Sequence, residues 1–438
     1  MSTPVQHLTV EDSEDALIDG DRPFVPGSAR DVLRDRVFKV VFFGAFASNI
    51  GTWMQNAVLM GYAFTLTHSA TYVGVIVFAQ LGPLLLLSAI GGWVADIVDR
   101  RMLLVWVSVE QLVFSVALGL VVRAENPSQM WIFLMVLAIG IGQAMFAPAY
   151  SALLPSLVSP ENLAPAISLN SAQMNGARVI GPAIGGVLLH VVGAEWVFYG
   201  NAATYLFVIA ALMAVKLPPP AGYDAASGRG FRQLTAGLRV AKADRVVRRS
   251  LVTIFVFSAF ALTFVGQLSV VAEENFGIDA DSLGYGLMYA TFGVGAALGA
   301  LSIGTVLAKQ SLAALVRVGM LGYAITLAVF ALLRAPGVAF PVVAVLGFFY
   351  FAMVTSLSTA LQERLDDSVR GRVMALWIMG FGGTVGLGNL IAGKVIDATS
   401  VTAVLLVNAV VALGLTWYAD VRVPVDAPRF AVLEDEAA

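Results

Sequence analysis

Twelve apolar stretches, each long enough to cross a bilayer, constrain this chain more than any other feature. They fall near 38–62, 72–95, 102–123, 130–153, 166–190 and 196–216, then 250–272, 283–307, 313–333, 338–361, 372–396 and 401–420. A helix needs about 20 apolar residues to span the hydrocarbon layer. Only 13% of the residues are charged, against about 25% in a soluble domain. No soluble core of this size can bury twelve such helices. The expected fold is therefore an all-α polytopic membrane protein.

The runs divide into two sets of six. Residues 1–36 carry Glu11, Asp12, Glu14, Asp15, Asp19 and Asp21 without an apolar core, and read as a disordered tail. The six-helix halves are expected at 37–217 and 249–420, with a basic linker at 218–248 and a C-terminal tail at 421–438. The halves also echo each other. An offset of 212 superposes Gln55 on Gln267, Gly74 on Gly286 and Gly92 on Gly304. An offset of 207 superposes Gly181 on Gly388 and Gly186 on Gly393. Twenty-two of the 26 lysines and arginines fall in the tails, the linker and the even-numbered loops. Basic residues collect on the cytoplasmic side, so both termini are expected there.

Charge is sparse enough that its clusters carry information. Gly91-Gly92-Trp93-Val94-Ala95-Asp96-Ile97-Val98-Asp99-Arg100-Arg101 joins two apolar runs through a tight turn. Such a turn must lie at the membrane surface, where the arginines stay hydrated. Gly92, Asp96, Arg100 and Arg101 resemble the loop between spans 2 and 3 of the major facilitator superfamily. In span 5, Gly181-Pro182-Ala183-Ile184-Gly185-Gly186 is similar to the signature of proton-coupled exporters in that superfamily. In span 1, Ser48-Asn49-Ile50-Gly51-Thr52-Trp53-Met54-Gln55 resembles its siderophore- and drug-exporter branch. The resemblance implies two pseudo-symmetric six-helix halves with a substrate path between them, a proton as coupling ion and a bacterial inner-membrane location. It also implies that spans 2 and 11 face each other on the cytoplasmic side; Asp96 then either accepts from the N-terminus of span 11 when that side is closed or pairs locally with Arg100, four residues on.

Two charges lie inside spans. Glu110 is about 12 Å into span 3 and Arg178 about 18 Å into span 5, at 1.5 Å rise per residue. Ionisable groups near the midplane are costly and mark function by default. Arg178 reads as a cavity cation or one member of an internal ion pair; Glu110, with Asp96, is a candidate proton site. Asn49, Thr52, Gln55 and Asn56 form a polar stripe on span 1. Together with Gln80, Gln143, Tyr150, Asn175, Gln267, Tyr289, Tyr350 and Trp377 they suggest a large uncharged cavity. Hydrogen bonding between helices is the alternative for such residues. Gly181, Gly185 and Ala177 share a face that admits a neighbouring backbone; Gly295 and Gly299 of span 8 offer a partner face.

Enzyme chemistry finds no support. Gly388 to Lys394 mimics a phosphate-binding loop but lacks its closing Ser or Thr and lies inside a span. The three histidines form no ligand spacing, there is no cysteine, and no cofactor is expected. The expected partners are membrane lipid, a small-molecule substrate and protons, with no nucleic acid, and the expected state is a monomer. The reading is a secondary transporter that exports small amphipathic compounds. Uptake or lipid movement by the same fold is the runner-up, and a non-transporting scaffold the more distant one.

Overall fold

The computed structural model describes residues 29–215 and 230–422; the side chains of 88–89, 92–93, 95–97, 230–236 and 367–368 lie outside the described set. Twelve helices long and apolar enough to span a membrane run through it. In the first half they are α1 (Arg36–Thr67), α2 (Ala70–Ile97), α3 (Arg100–Val122), α4 (Gln129–Leu153), α5 (Leu163–Val192) and α6 (Ala194–Ala214). In the second, α7 comprises Arg245–Val256, a π-helical turn at Phe257–Ala261, Thr263–Gly266 and Leu268–Phe276. Then come α8 (Leu283–Ile303), α9 (Leu312–Leu332) and α10 (Pro336–Arg364). α11 comprises Asp367–Ile378, a π-helical turn at Met379–Gly383 and Thr384–Ala398, and α12 is Val401–Tyr418.

Short polar side chains start most of these helices by accepting the free N–H groups of the first turn. Asp35 caps α1, Ser69 α2, Asp99 α3, Asp244 α7, Ser282 α8, Ser311 α9 and Ser400 α12. Two boundaries differ from their expected places. Asp244 accepts from Val246 N and Val247 N, so α7 begins five residues before the apolar run at 250 and takes the end of the expected linker. A turn of helix at Ala29–Val32 stands where a disordered tail was expected, because Val32 is fully buried beside the start of α5.

The side-chain pattern fits a bilayer. Large apolar residues such as Val410 and Ile325 are exposed in mid-helix, as lipid contact requires. Trp131 and Trp196 are exposed at one end of the bundle, and Trp106 and Trp417 toward the other. Tryptophan collects at both membrane–water interfaces. The end that carries Arg100 and Arg101 is called the basic end here, and its opposite the far end.

Within the first half α1 packs on α5 and α6, α3 on α4 and α6, and α2 on α4; within the second α8 packs on α10, and α9 on α10 and α12. The halves meet along α2–α11 and α5–α8. Glycine makes these crossings close. A Cβ on Gly186 would sit 2.7 Å from Gly286 Cα, and one on Gly293 2.8 Å from the Arg178 carbonyl. Gly295 and Gly299 do not serve this crossing: they back onto Ala344 and Phe348 of α10 inside the second half. Gly181 and Gly185 pack on α1, against Ile50 and Met54.

Candidate functional site: a central arginine between two halves

One face of α5 shows how the halves are arranged. From the far end it runs through Gly186 and Pro182, both against Gly286, to Arg178, whose carbonyl meets Gly293. Further toward the basic end the same face carries Ser171 and Ser168, both exposed. Along this seam the halves are therefore in contact from the far end to mid-depth and parted below it, while on the other seam the first segment of α11 still touches α2. Polar bonds close the far end: Tyr285 OH donates to the Ala57 carbonyl at 3.0 Å, Ser269 Oγ to Met60 at 3.2 Å and Gln267 Nε2 to Ala70 at 3.2 Å.

Arg178 sits where contact gives way to opening. Its guanidinium lies 5.0 Å from the Trp53 ring of α1 and 4.8 Å from the Phe351 ring of α10. One amine donates to Asn175 Oδ1 at 3.4 Å, and its Nε is buried with no partner. Tyr289 of α8 and Tyr350 of α10, both buried, lie near it. Among the described residues no carboxylate pairs with it. Ring faces hold a cation but leave its in-plane N–H donors free. The arrangement is a fixed cation, open to an acceptor, at the seam of the two halves.

The polar residues expected to line one cavity divide instead among several contacts. Gln55 is buried and accepts from Asn201 of α6 at 2.9 Å; Thr52 bonds to Ser48 at 3.0 Å and meets the Tyr205 hydroxyl at 3.3 Å. Asn56 instead pairs with Gln80 of α2. Gln143 accepts from Gln111 at 3.1 Å, and Gln267 is spent on the far-end seal. Tyr150 stacks on Phe146 and Trp377 on Phe381, while Asn49 is half-buried on α1. Of the expected cavity set, Asn175, Tyr289 and Tyr350 gather at Arg178, so the space is not uncharged. Trp53 and Phe351 went unread in the sequence; Trp53 could have been found from its place one turn from Asn49 and Asn56.

Glu110 is apart from this cluster. It lies between α3 and α4, where a Cβ on Gly142 would collide with its Oε2, and that oxygen is buried without a hydrogen-bond partner. Arg100 donates to the Ala152 carbonyl at 3.1 Å and Arg101 to Met213 at 2.9 Å. They tie the loop to the ends of α4 and α6, rather than simply standing in water. Gly92 and Asp96 lie on α2, with side-chain positions outside the described residues.

A family model described as "Transmembrane secretion effector" matches residues 28–431. The chain belongs to that family. Transmembrane secretion effectors of this kind are major facilitator superfamily transporters, so the protein is a multi-pass transporter and not an enzyme. It is 27% identical over 347 residues to the enterobactin exporter EntS of Shigella boydii serotype 18, a match covering 78% of this chain and 80% of that one. The EntS of Escherichia coli O1:K1 / APEC matches over the same shares at the same identity. Among solved structures, a point mutant of the nucleoside transporter NupG aligns with a TM-score of 0.72 at 14% identity, over 87% of this chain and 98% of that one. A bacterial homologue of the human lysosomal transporter Spinster, inward-facing and occupied, aligns at 0.68 and 15% identity, over 88% and 96%. These two establish the shared fold.

Proposed function

We propose that this transporter exports small amphipathic compounds bearing an anionic group, by alternating access and in exchange for protons moving down their gradient. The observation that carries the reading is Arg178. A guanidinium held between two aromatic rings at the seam of the halves, without a carboxylate partner, is suited to an amphipathic anion. The rings contact the apolar part of such a ligand and the free donors its charged group. The likeness to enterobactin exporters favours export of siderophore-like or drug-like compounds. In this reading both termini are cytoplasmic, as the basic-residue bias suggests, and the protein works as a monomer in a bacterial inner membrane. The parted basic end is then the cytoplasmic mouth. Each six-helix half moves as a body about the seam, with the linker between them, and Asp96 meets α11 only when that mouth closes.

Glu110 is the proposed proton site. A carboxylic acid with one oxygen buried beside Gly142 without a hydrogen-bond partner is favoured in its neutral form. Its protonation therefore changes the packing of α3 on α4. Accumulation of a panel of siderophores, dyes and drugs in cells with and without the protein tests the whole reading. Expression should lower accumulation of the anionic members, an uncoupler should abolish the effect, and Arg178→Ala should match the uncoupler. Export unaffected in Arg178→Ala would overturn the anion site. Proton-driven export unaffected in Glu110→Gln would move the proton elsewhere.

A further inference from the structure

Asp397 stands at the wrong end of its own helix. It is the second-last residue of α11, where the helix dipole is negative and carbonyls, not N–H groups, are left over. The N-terminus of α2, in the other half, explains its place. The Asp397 carboxylate accepts from Ser69 Oγ at 2.8 Å, from Ala70 N at 2.8 Å and from Thr71 N at 2.9 Å. It thus satisfies the first-turn donors of α2 and stands at the positive pole of that helix. Glycine lets the two chains come close enough: Gly393 packs on the Ala70 carbonyl and Gly74 on that of Asn389. A second contact lies beside it, His68 Nδ1 to Glu273 Oε1 at 3.5 Å, again from one half to the other.

We propose that Asp397 is the gating residue that locks the far end of the transporter shut. Its three bonds all cross from one half to the other, so they exist while the far end is closed and are lost when the halves part there. A contact present in one state only shifts the balance between states. The internal repeat supplies a control. The 207-residue offset places His190 of α5 in the position of Asp397, one turn beyond the Gly186–Gly286 crossing of α5 on α8. That junction carries a histidine where its counterpart carries the acid, so the lock is one-sided.

The test uses the cysteine-free chain. Spin labels on Glu125→Cys and Gly337→Cys, both exposed at the far end and one in each half, report the opening there. Asp397→Asn should raise the long-distance population about tenfold, the weight of roughly 1.4 kcal/mol for bonds to a charged acceptor. Asp397→Glu should recover part of the closed population, and His190→Asn should leave the distances unchanged. Thr71→Pro removes the Thr71 N–H and its hydroxyl without altering charge, at a first-turn position that tolerates proline. It should shift the distances the same way by less, and it carries the test if Asp397→Asn does not fold. Unchanged distances in the folded variants, or an equal shift in His190→Asn, would overturn the lock. Because the readout needs no substrate, its failure is separate from that of the anion site.

Discussion

Gly186 and Gly286 form the closest backbone crossing of α5 on α8, so adding one methyl group there has a calculable effect. In Gly186→Ala the new Cβ would lie 2.7 Å from Gly286 Cα, whereas carbon atoms pack favourably at about 3.5–4.0 Å. The obstacle is backbone, not a side chain that can swing away. The helices must part by roughly 1 Å at that point, and overpacking of this kind costs about 1–3 kcal/mol. The cost falls on the state closed at the far end, since the contact is lost once the halves separate. It therefore moves the conformational balance toward the far-open state by about five- to 150-fold. Gly185→Ala is the contrast: its Cβ would lie 3.0 Å from the Met54 carbonyl of α1, inside one half. It should lower thermal stability and leave the balance alone. Disulfide formation between cysteines placed on the far-end turns of opposite halves reads the closed fraction. Equal cross-linking in Gly186→Ala and the parent would refute the argument that this crossing is a state-dependent seal.

Two further outcomes concern the basic end of the second half. Asp244 is buried, caps α7 and meets Arg364 of α10 at 2.7 Å. Asp244→Ala should cost at least the roughly 0.5–2 kcal/mol of a lost N-cap, with the loss of its buried contact to Arg364 added, and should show as a lowered melting temperature in detergent with transport per folded molecule largely kept. Asp420, just beyond α12, lies 3.6 Å from Arg249, 3.5 Å from Arg317 and 3.0 Å from Arg422. Burial acts to raise its pKa, but the hydrogen bonds from Arg422 and the charges of Arg422 and Arg317 outweigh it and hold the carboxyl below its usual 3.8. A depressed pKa contributes stability that is full above the usual value and is lost as pH falls through the folded one. The melting-temperature gap between the parent and Asp420→Asn should thus be constant from neutral pH to about pH 5 and close below pH 3.8.

Much of the fold was legible because membrane insertion writes it in one dimension. Runs of apolar residues gave the spans but not their starts, which Asp35, Ser69, Asp99, Asp244 and Ser282 set by the same capping chemistry that soluble helices use. The repeat was legible too, and the structure gives it meaning. Gly74 and its counterpart Gly286, like Gly186 and Gly393, occupy the far-end crossings of α2 on α11 and α5 on α8. What the sequence withheld was direction. The polar stripe on α1 reads as one wall, yet α1 touches several neighbours, so Gln55 turns to α6 and Asn56 to α2. Arg178 was visible as a costly charge, but its ring partners come from α1 and α10, which no periodicity within α5 can name. Asp397 carries no signal in the sequence beyond its position at the negative pole of its own helix, and the helix that needs it lies in the other half.

The central claim is that Arg178 selects an anionic substrate at the seam of the two halves. Reconstituted protein in liposomes with an imposed pH gradient tests it most directly, using a fluorescent aromatic carboxylate and its methyl ester as paired substrates. The parent should move the carboxylate well ahead of the ester. Arg178→Ala should lose carboxylate transport by about 100-fold, the scale of one charge-assisted contact of roughly 3 kcal/mol, and leave the ester at its low rate. Arg178→Lys should fall between, since an ammonium keeps the charge without the planar fork. Equal transport of carboxylate and ester by the parent, or equal loss of both in Arg178→Ala, would contradict the account.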